Sequence, residues 1–225
     1  MGDNNIIYSK LRILAHAIPY TGDWLTPYLL HQGNVVMLPP KQMIEITKDN
    51  YHEVVDKLAD IQIGFADSRP DPLISLFAMA ISPPYYIEFL NFIKDDITNK
   101  EISELMSWIW THTEFPNTYD SRRLIRLFNR VIKEDMMTTE EIEKYRSLPD
   151  EVEVYRGLQS EKAKVKALSW TLSEEKARWF ESRWKKHAGV YKAKISKHHI
   201  FAYFSGRSEE EIVLDPRKLK EVQHA

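Results

Sequence analysis

The sequence predicts an α+β protein: a helical N-terminal half followed by a compact, mixed and strand-rich last third. Apolar residues recur at three- and four-residue intervals as far as Arg146, and from Leu148 onward the interval shortens to two. A hydrophobic fraction of 43% beside 28% charged residues adds that this is an ordinary folded chain with a core. Its 225 residues suffice for one large domain or two small ones.

Composition also excludes. With 31 basic against 33 acidic side chains the net charge is −2, so the global field favours neither nucleic acid nor an anionic membrane. Cysteine is absent, which removes disulfides, thiol nucleophiles and cysteine metal sites and is compatible with a cytoplasmic setting. The stretch Met1–Ala17 carries Asp3 and only short apolar runs, a poor secretory signal. Nothing approaches the roughly 20 apolar residues that span a bilayer, so no membrane partner is expected.

In chain order, Ile6, Ile7, Leu11, Leu14 and Ala15 predict a helix ended by Pro19 and Gly22, with a second short helix over Asp23–Leu30. Val35–Leu38 reads as a strand closed by Pro39-Pro40. Asp49 or Asn50 caps a helix over Tyr51–Asp60, with Val54, Val55 and Leu58 inward. Pro70, Pro72, Pro83 and Pro84 break the next stretch into loops around one short helix, Leu73–Ala80. Tyr86–Ile97 and Glu101–Thr111 are amphipathic helices, the second burying Ile102, Leu105, Met106 and Ile109. Ser121 caps a helix carrying Leu124, Ile125, Phe128, Val131 and Ile132, and Thr138 with Glu141 forms a capping box opening another to about Arg146. Beyond Leu148, Val152, Val154 and Arg156 share one face of a strand ending at Gly157. Lys164–Trp170, Val190–Ile195 and His199–Phe204 are further strands, and Ser205-Gly206-Arg207 is a turn. Thr171 with Glu174, or Ser173 alone, caps the intervening helix, whose inner face is Ala177, Phe180 and Trp184.

The last predicted strand, Ser208–Pro216, sets three consecutive acids ahead of Ile-Val-Leu. Alternation puts Glu209, Glu211 and Val213 on one face and Glu210, Ile212 and Leu214 on the other, so two carboxylates project side by side. Neighbouring like charges disfavour each other's ionised forms unless solvent, a cation or a substrate compensates. Upstream, Arg156 beside Gly157 at a strand end suits a phosphate: the guanidinium fork gives two hydrogen bonds to one anion, and glycine lets the backbone come close. Ser169 and Thr171 put two hydroxyls on one strand face, able to hold a carboxylate. Each feature also fits a plainer role: a solvated charge run, a surface salt bridge, a helix cap. The ordered set is what carries information.

In that order, Arg, then Ser-x-Thr, then Glu-x-Glu, the chain resembles the Arg-Ser-Glu class of mono-ADP-ribosyltransferases, which includes arginine-directed bacterial toxins and phage enzymes that modify host proteins. The run Ser-Trp-Thr-Leu-Ser-Glu-Glu-Lys-Ala-Arg-Trp-Phe, Ser169–Phe180, is similar to the second strand and following helix of phage and bacterial proteins with this domain. The resemblance covers about Leu148–Leu219 and nothing in residues 1–85. It implies an ADP-ribosyltransferase-like domain over 101–225, with helices over 101–147 and a core of two small packed sheets over 148–221. A helical region over 1–100, without assigned role, precedes it.

By the same resemblance NAD is the substrate and no metal takes part. Arg156 and Gly157 would hold a phosphate or ribose of NAD, Ser169 and Thr171 would order the site, and Phe180 or Trp179 would stack on the nicotinamide. Glu211 would bond the nicotinamide ribose 2′-hydroxyl, and Glu209 would draw a proton from the acceptor or orient it. Tyr203 and Phe204 would contact that acceptor, a protein side chain, with arginine favoured by the Glu-x-Glu form. The implied setting is the cytoplasm of a bacterial host cell, phage-encoded members included.

Three departures stand out. Trp170 replaces the central residue of the family's common Ser-Thr-Ser, only 12 residues separate Arg156 from Ser169, and the third glutamate leaves Glu210 as an alternative register. The lysines between Lys162 and Lys197 keep a nucleic acid acceptor open. Two other classes remain: a catalytically inactive binding or phage structural module, and a metal hydrolase on His187, His198 and His199, whose spacing is not that of a zinc enzyme.

Overall fold

Helical periodicity shapes the first half of the chain. The computed structural model describes residues 4–17, 35–38, 42–113, 120–183, 188–206 and 209–225, which belong to two compact units, Met1–Ile109 and Trp110–Ala225. In the first, α1 (Asn4–His16) buries Ile7, Leu11 and Ala15, and α2 (Tyr51–Asp67) buries Val54, Val55 and Leu58. Leu76 and Phe77 of α3 (Pro72–Ala80) and Phe89 and Leu90 of α4 (Tyr86–Ile93) complete this core. The Phe77 ring lies 5.7 Å from Tyr86 and 5.4 Å from Phe89 between centroids, tilted contacts that add about 0.5–1.5 kcal/mol each beyond area burial. Past the predicted strand β1 (Val35–Leu38), an unexpected β2 (Gln42–Glu45) pairs with it antiparallel. The helix expected over Asp23–Leu30 lies outside the described residues.

The second unit begins in the last turn of α5 (Asn99–His112). The cap of α6 (Ser121–Phe128) is Asp120, one residue before the expected Ser121; its carboxylate accepts from the Arg122 amide at 2.9 Å. α6 stops at Phe128, so Val131 and Ile132 lie beyond it, ahead of the short α7 (Lys133–Met136). α8 (Thr139–Ser147) opens on the expected Thr138–Glu141 capping box. Ser173 is the cap of α9 (Glu174–Ser182), its hydroxyl accepting from the Lys176 amide at 3.2 Å.

The strands are β3 (Glu151–Gly157), β4 (Ser169–Thr171), β5 (Val190–Ser196), β6 (Ile200–Phe204), β7 (Glu211–Leu214) and β8 (Lys220–His224). They form one antiparallel sheet in the order β6-β7-β4-β3-β5-β8, so the α+β class expected from the sequence is the class observed. In place of the two small packed sheets expected, the six strands form this one sheet, whose halves β6-β7-β4 and β3-β5-β8 meet at a single register pair, Tyr155↔Thr171. Rows Val152↔Ile195 and Val154↔Ala193 form the buried face of the second half, while Glu151 and Glu153 point outward. Two strand expectations change. Residues 164–168 are held in local turns, Ala167 N–H bonding the Val165 carbonyl at 2.9 Å, so β4 is only three residues long. β8 was not expected because its run Lys-Glu-Val-Gln-His is polar, as suits a sheet edge facing water.

Candidate active site

The site forms because β4 lies between β3 and β7. Its register, Ser169↔Val213, Trp170↔Ile212 and Thr171↔Glu211, puts Ser169, Thr171 and Glu211 on one face. Trp170 points the other way and is buried with Ile212. The Ser169 hydroxyl donates to the Glu211 carboxylate, and the Arg156 guanidinium donates to the Ser169 carbonyl oxygen. Residues 13 and 42 positions apart in sequence thus form one hydrogen-bonded series, Arg156–Ser169–Glu211. All three keep partial solvent exposure.

Burial pushes the Arg156 guanidinium down to about 10 while Glu211 pulls it back up, so it stays cationic at neutral pH. Its Nε is a buried donor with no hydrogen-bond partner among the described residues. An unmet buried donor costs about 1–3 kcal/mol, and more on a charged group, a cost that a polar or anionic ligand would remove. At Glu211, burial raises the carboxyl above the ordinary glutamate range. Hydrogen bonds from Ser169 and Trp110 oppose that rise, Glu209 adds to it, and Arg156 opposes it.

Trp110, whose side chain hydrogen-bonds Glu211, is a residue of this candidate site that sequence reasoning missed. It sits in the last turn of α5, 8% exposed, edge-on to Phe128 at 5.3 Å, and Phe128 in turn stacks on Phe201 of β6 at 5.0 Å. Helical periodicity offers Trp110 only as apolar packing. The one available signal is general: a buried indole N–H needs an acceptor.

The expected extended run through Glu209 and Glu210 is corrected. β7 begins at Glu211, and Glu210 has φ +47°, in the left-handed region. The cause is local hydrogen bonding: the Glu209 carbonyl accepts from the Thr171 hydroxyl at 2.7 Å, and the Glu210 carbonyl from the Leu172 amide at 3.1 Å. Thr171 therefore holds the backbone of the acidic segment and not a carboxylate. A kink, rather than strand alternation, brings Glu209 close enough to Glu211 to raise its pKa.

Gly157 also has a different reason from the one expected. A Cβ there would lie 2.0 Å from the Ala177 carbonyl oxygen and 2.8 Å from the Glu181 nitrogen, so glycine is needed for α9 to pack on β3. Phe180 is half-buried, edge-on to Trp179 at 5.0 Å, and takes no part in the hydrogen-bonded series; Trp179 is exposed beneath the Arg183 guanidinium.

Tyr203 and Phe204, expected to face an acceptor, are instead 5% and 4% exposed within β6, opposite Ile212 and Glu211. The strand ends at Phe204 as expected, and its packing makes both rings core. The exposed loop starts at Ser205, whose amide and hydroxyl donate to buried Glu141 at 2.8 and 3.1 Å. Of the candidate basic face, Lys194 pairs with Glu221 at 2.7 Å, and Lys197 donates to the carbonyls of Arg146 and Leu148 at 2.6 and 2.9 Å. Trp184, Lys185, Lys186, His187, Arg207 and Ser208 lie outside the described residues. Among the described residues no three His, Asp or Glu side chains gather as metal ligands would, and no helix is long and apolar enough to cross a membrane.

Comparison with known proteins assigns no family: no family model matches the chain, and no match was found to a curated protein or to a solved structure.

Proposed function

We propose that the chain is an NAD-dependent mono-ADP-ribosyltransferase, carrying ADP-ribose to a macromolecular acceptor with release of nicotinamide. The observation that supports it is the Arg156–Ser169–Glu211 series, which puts a buried cation with an open donor beside a carboxylate fixed by a hydroxyl. These residues fit NAD: the Arg156 guanidinium would pair with a phosphate or ribose oxygen, and Glu211 offers a carboxylate to a ribose hydroxyl. NAD supplies a C1′–nitrogen bond whose electron pair leaves with neutral nicotinamide as positive charge builds on the sugar. A fixed carboxylate in a poorly solvated site stabilises that charge. The acceptor's lone pair then forms the new bond to C1′, and its proton passes to Glu209. Glu211 must be ionised for this, and Ser169, Trp110 and Arg156 all act to keep it so against burial. The acceptor approaches past Glu209 and the exposed loop at Ser205 and Gly206. It is a protein side chain, arginine favoured, in the cytoplasm of a bacterial host.

The test is incubation of the purified chain with labelled NAD and a bacterial lysate, beside Glu211→Ala. Expected are label on a macromolecule with the wild type, none with the variant, and a wild-type rate that falls as pH drops through the raised Glu211 pKa. Equal labelling by both proteins, or none by either, overturns the reading in favour of a binding module.

A further inference from the structure

The buried face of the half-sheet β3-β5-β8 changes character at one end. Its rows Val152↔Ile195 and Val154↔Ala193 are hydrocarbon, but the next row is Arg156↔Tyr191↔His224. Directly paired residues on neighbouring strands share a face, so these three side chains stand side by side. Tyr191 is half-exposed and His224 exposed, and their rings meet at 4.2 Å between centroids.

This aromatic pair is seated, not incidental. Gly189 has φ +93°, and a Cβ on it would meet the His224 ring at 3.2 Å, so the ring rests against a bare Cα. Backbone bonds from Leu158 N–H to the Gly189 carbonyl at 3.0 Å and from Ala225 N–H to the Val190 carbonyl at 2.9 Å tie the seat to the sheet. Two solvent-reaching rings, tilted 38° to each other, thus lie in the same row as a deeply buried guanidinium whose Nε has no partner among the described residues. The two features together ask for a ligand with a flat ring at one end and a polar or anionic group at the other.

We infer that Tyr191 and His224 form a base-stacking subsite, taking the adenine of a nucleotide whose phosphate or ribose reaches Arg156. The inference rests on the transferase reading for the identity of that nucleotide as NAD, and on the sheet for its layout. The row stands one residue along β3 from Tyr155, which pairs with Thr171, and the Arg156 guanidinium reaches the Ser169 carbonyl oxygen from it. Nothing in the sequence motif pointed here, because β8 itself was not expected.

Calorimetric titration of the full chain with AMP and with ribose 5-phosphate tests the subsite without transfer chemistry. AMP is expected to bind more tightly than ribose 5-phosphate, and His224→Ala and Tyr191→Leu to weaken AMP about five- to hundredfold while leaving ribose 5-phosphate unchanged. His224 is exposed, so its replacement keeps the test decisive even if Tyr191→Leu fails to fold. No AMP binding, equal affinity for the two ligands, or AMP affinity indifferent to the variants overturns the proposal. NAD transfer separates the two ideas. Absent transfer with aromatic-dependent AMP binding brings down the transferase reading alone. Intact transfer with a KM for NAD unmoved by His224→Ala brings down the subsite alone.

Discussion

The two compact units bury their residues in different ways. Among the described residues of Met1–Ile109 the buried set is apolar but for Ser103, which donates to the Asn99 carbonyl of its own helix at 2.7 Å. In Trp110–Ala225, Glu141, Thr171 and Asp215 are buried as well, and the charged ends of Arg156 and Glu211 lie deep. Glu141 anchors a loop, Thr171 fixes the acidic segment, and Asp215 grips Arg217 at 2.7 Å. The first unit keeps its charged links, such as Lys10–Asp96 and His16–Asp56, partly exposed around a hydrocarbon core. The second gives up part of the gain from hydrocarbon burial to hold charged groups in set positions, the pattern that marks a candidate functional site.

One kind of substitution exposes the contrast with opposite signs. Gly157→Ala sets a methyl 2.0 Å from the Ala177 carbonyl oxygen and is expected to cost about 3 kcal/mol, read as a lower urea midpoint for the second unit. Glu211→Gln should act the other way. Burial raises the folded-state pKa above its unfolded value, so this group's contribution is full below the ordinary glutamate range and is lost as pH rises through the raised value. The neutral variant is therefore expected to melt higher than the wild type at pH 7 to 8, with the gain vanishing toward about pH 4. Loss of the gain at high pH instead of low pH would show that Glu211 is not a strained carboxylate. Smallest is Gly64→Ala, at an exposed position of α2 where a Cβ meets nothing within 4 Å, expected to stabilise by about 0.5–1 kcal/mol. Thermal melts of the two glycine variants side by side check the reversal.

Much of this was legible in the chain. The alternation of Val152, Val154 and Arg156, the serine before Trp170, and the glutamate ahead of Ile-Val-Leu all report local geometry, and local geometry is what periodicity encodes. So do the Thr138–Glu141 box and the Ser173 cap. What escaped depends on partners distant in sequence. Trp110 reaches Glu211 from a helix about a hundred residues upstream, and no spacing rule relates them. Gly157 read as room for a ligand when the occupant is a helix. The left-handed Glu210 follows from hydrogen bonds donated by the β4–α9 connection, and non-glycine residues give little warning of that conformation. Tyr203 and Phe204 lie in the strand expected for them, but the ladder with β7 buries both rings, which no local pattern shows.

The lone Tyr155↔Thr171 bridge gives the molecule a seam, and the Arg156–Ser169–Glu211 series is laid across it. Each flank has its own ladder of backbone bonds, so prying that seam open would part the cation from the acid while leaving both flanks folded. Opening the seam would have to break that bridge, the Arg156–Ser169 bond and the packing of α9 on both β3 and β4 at once.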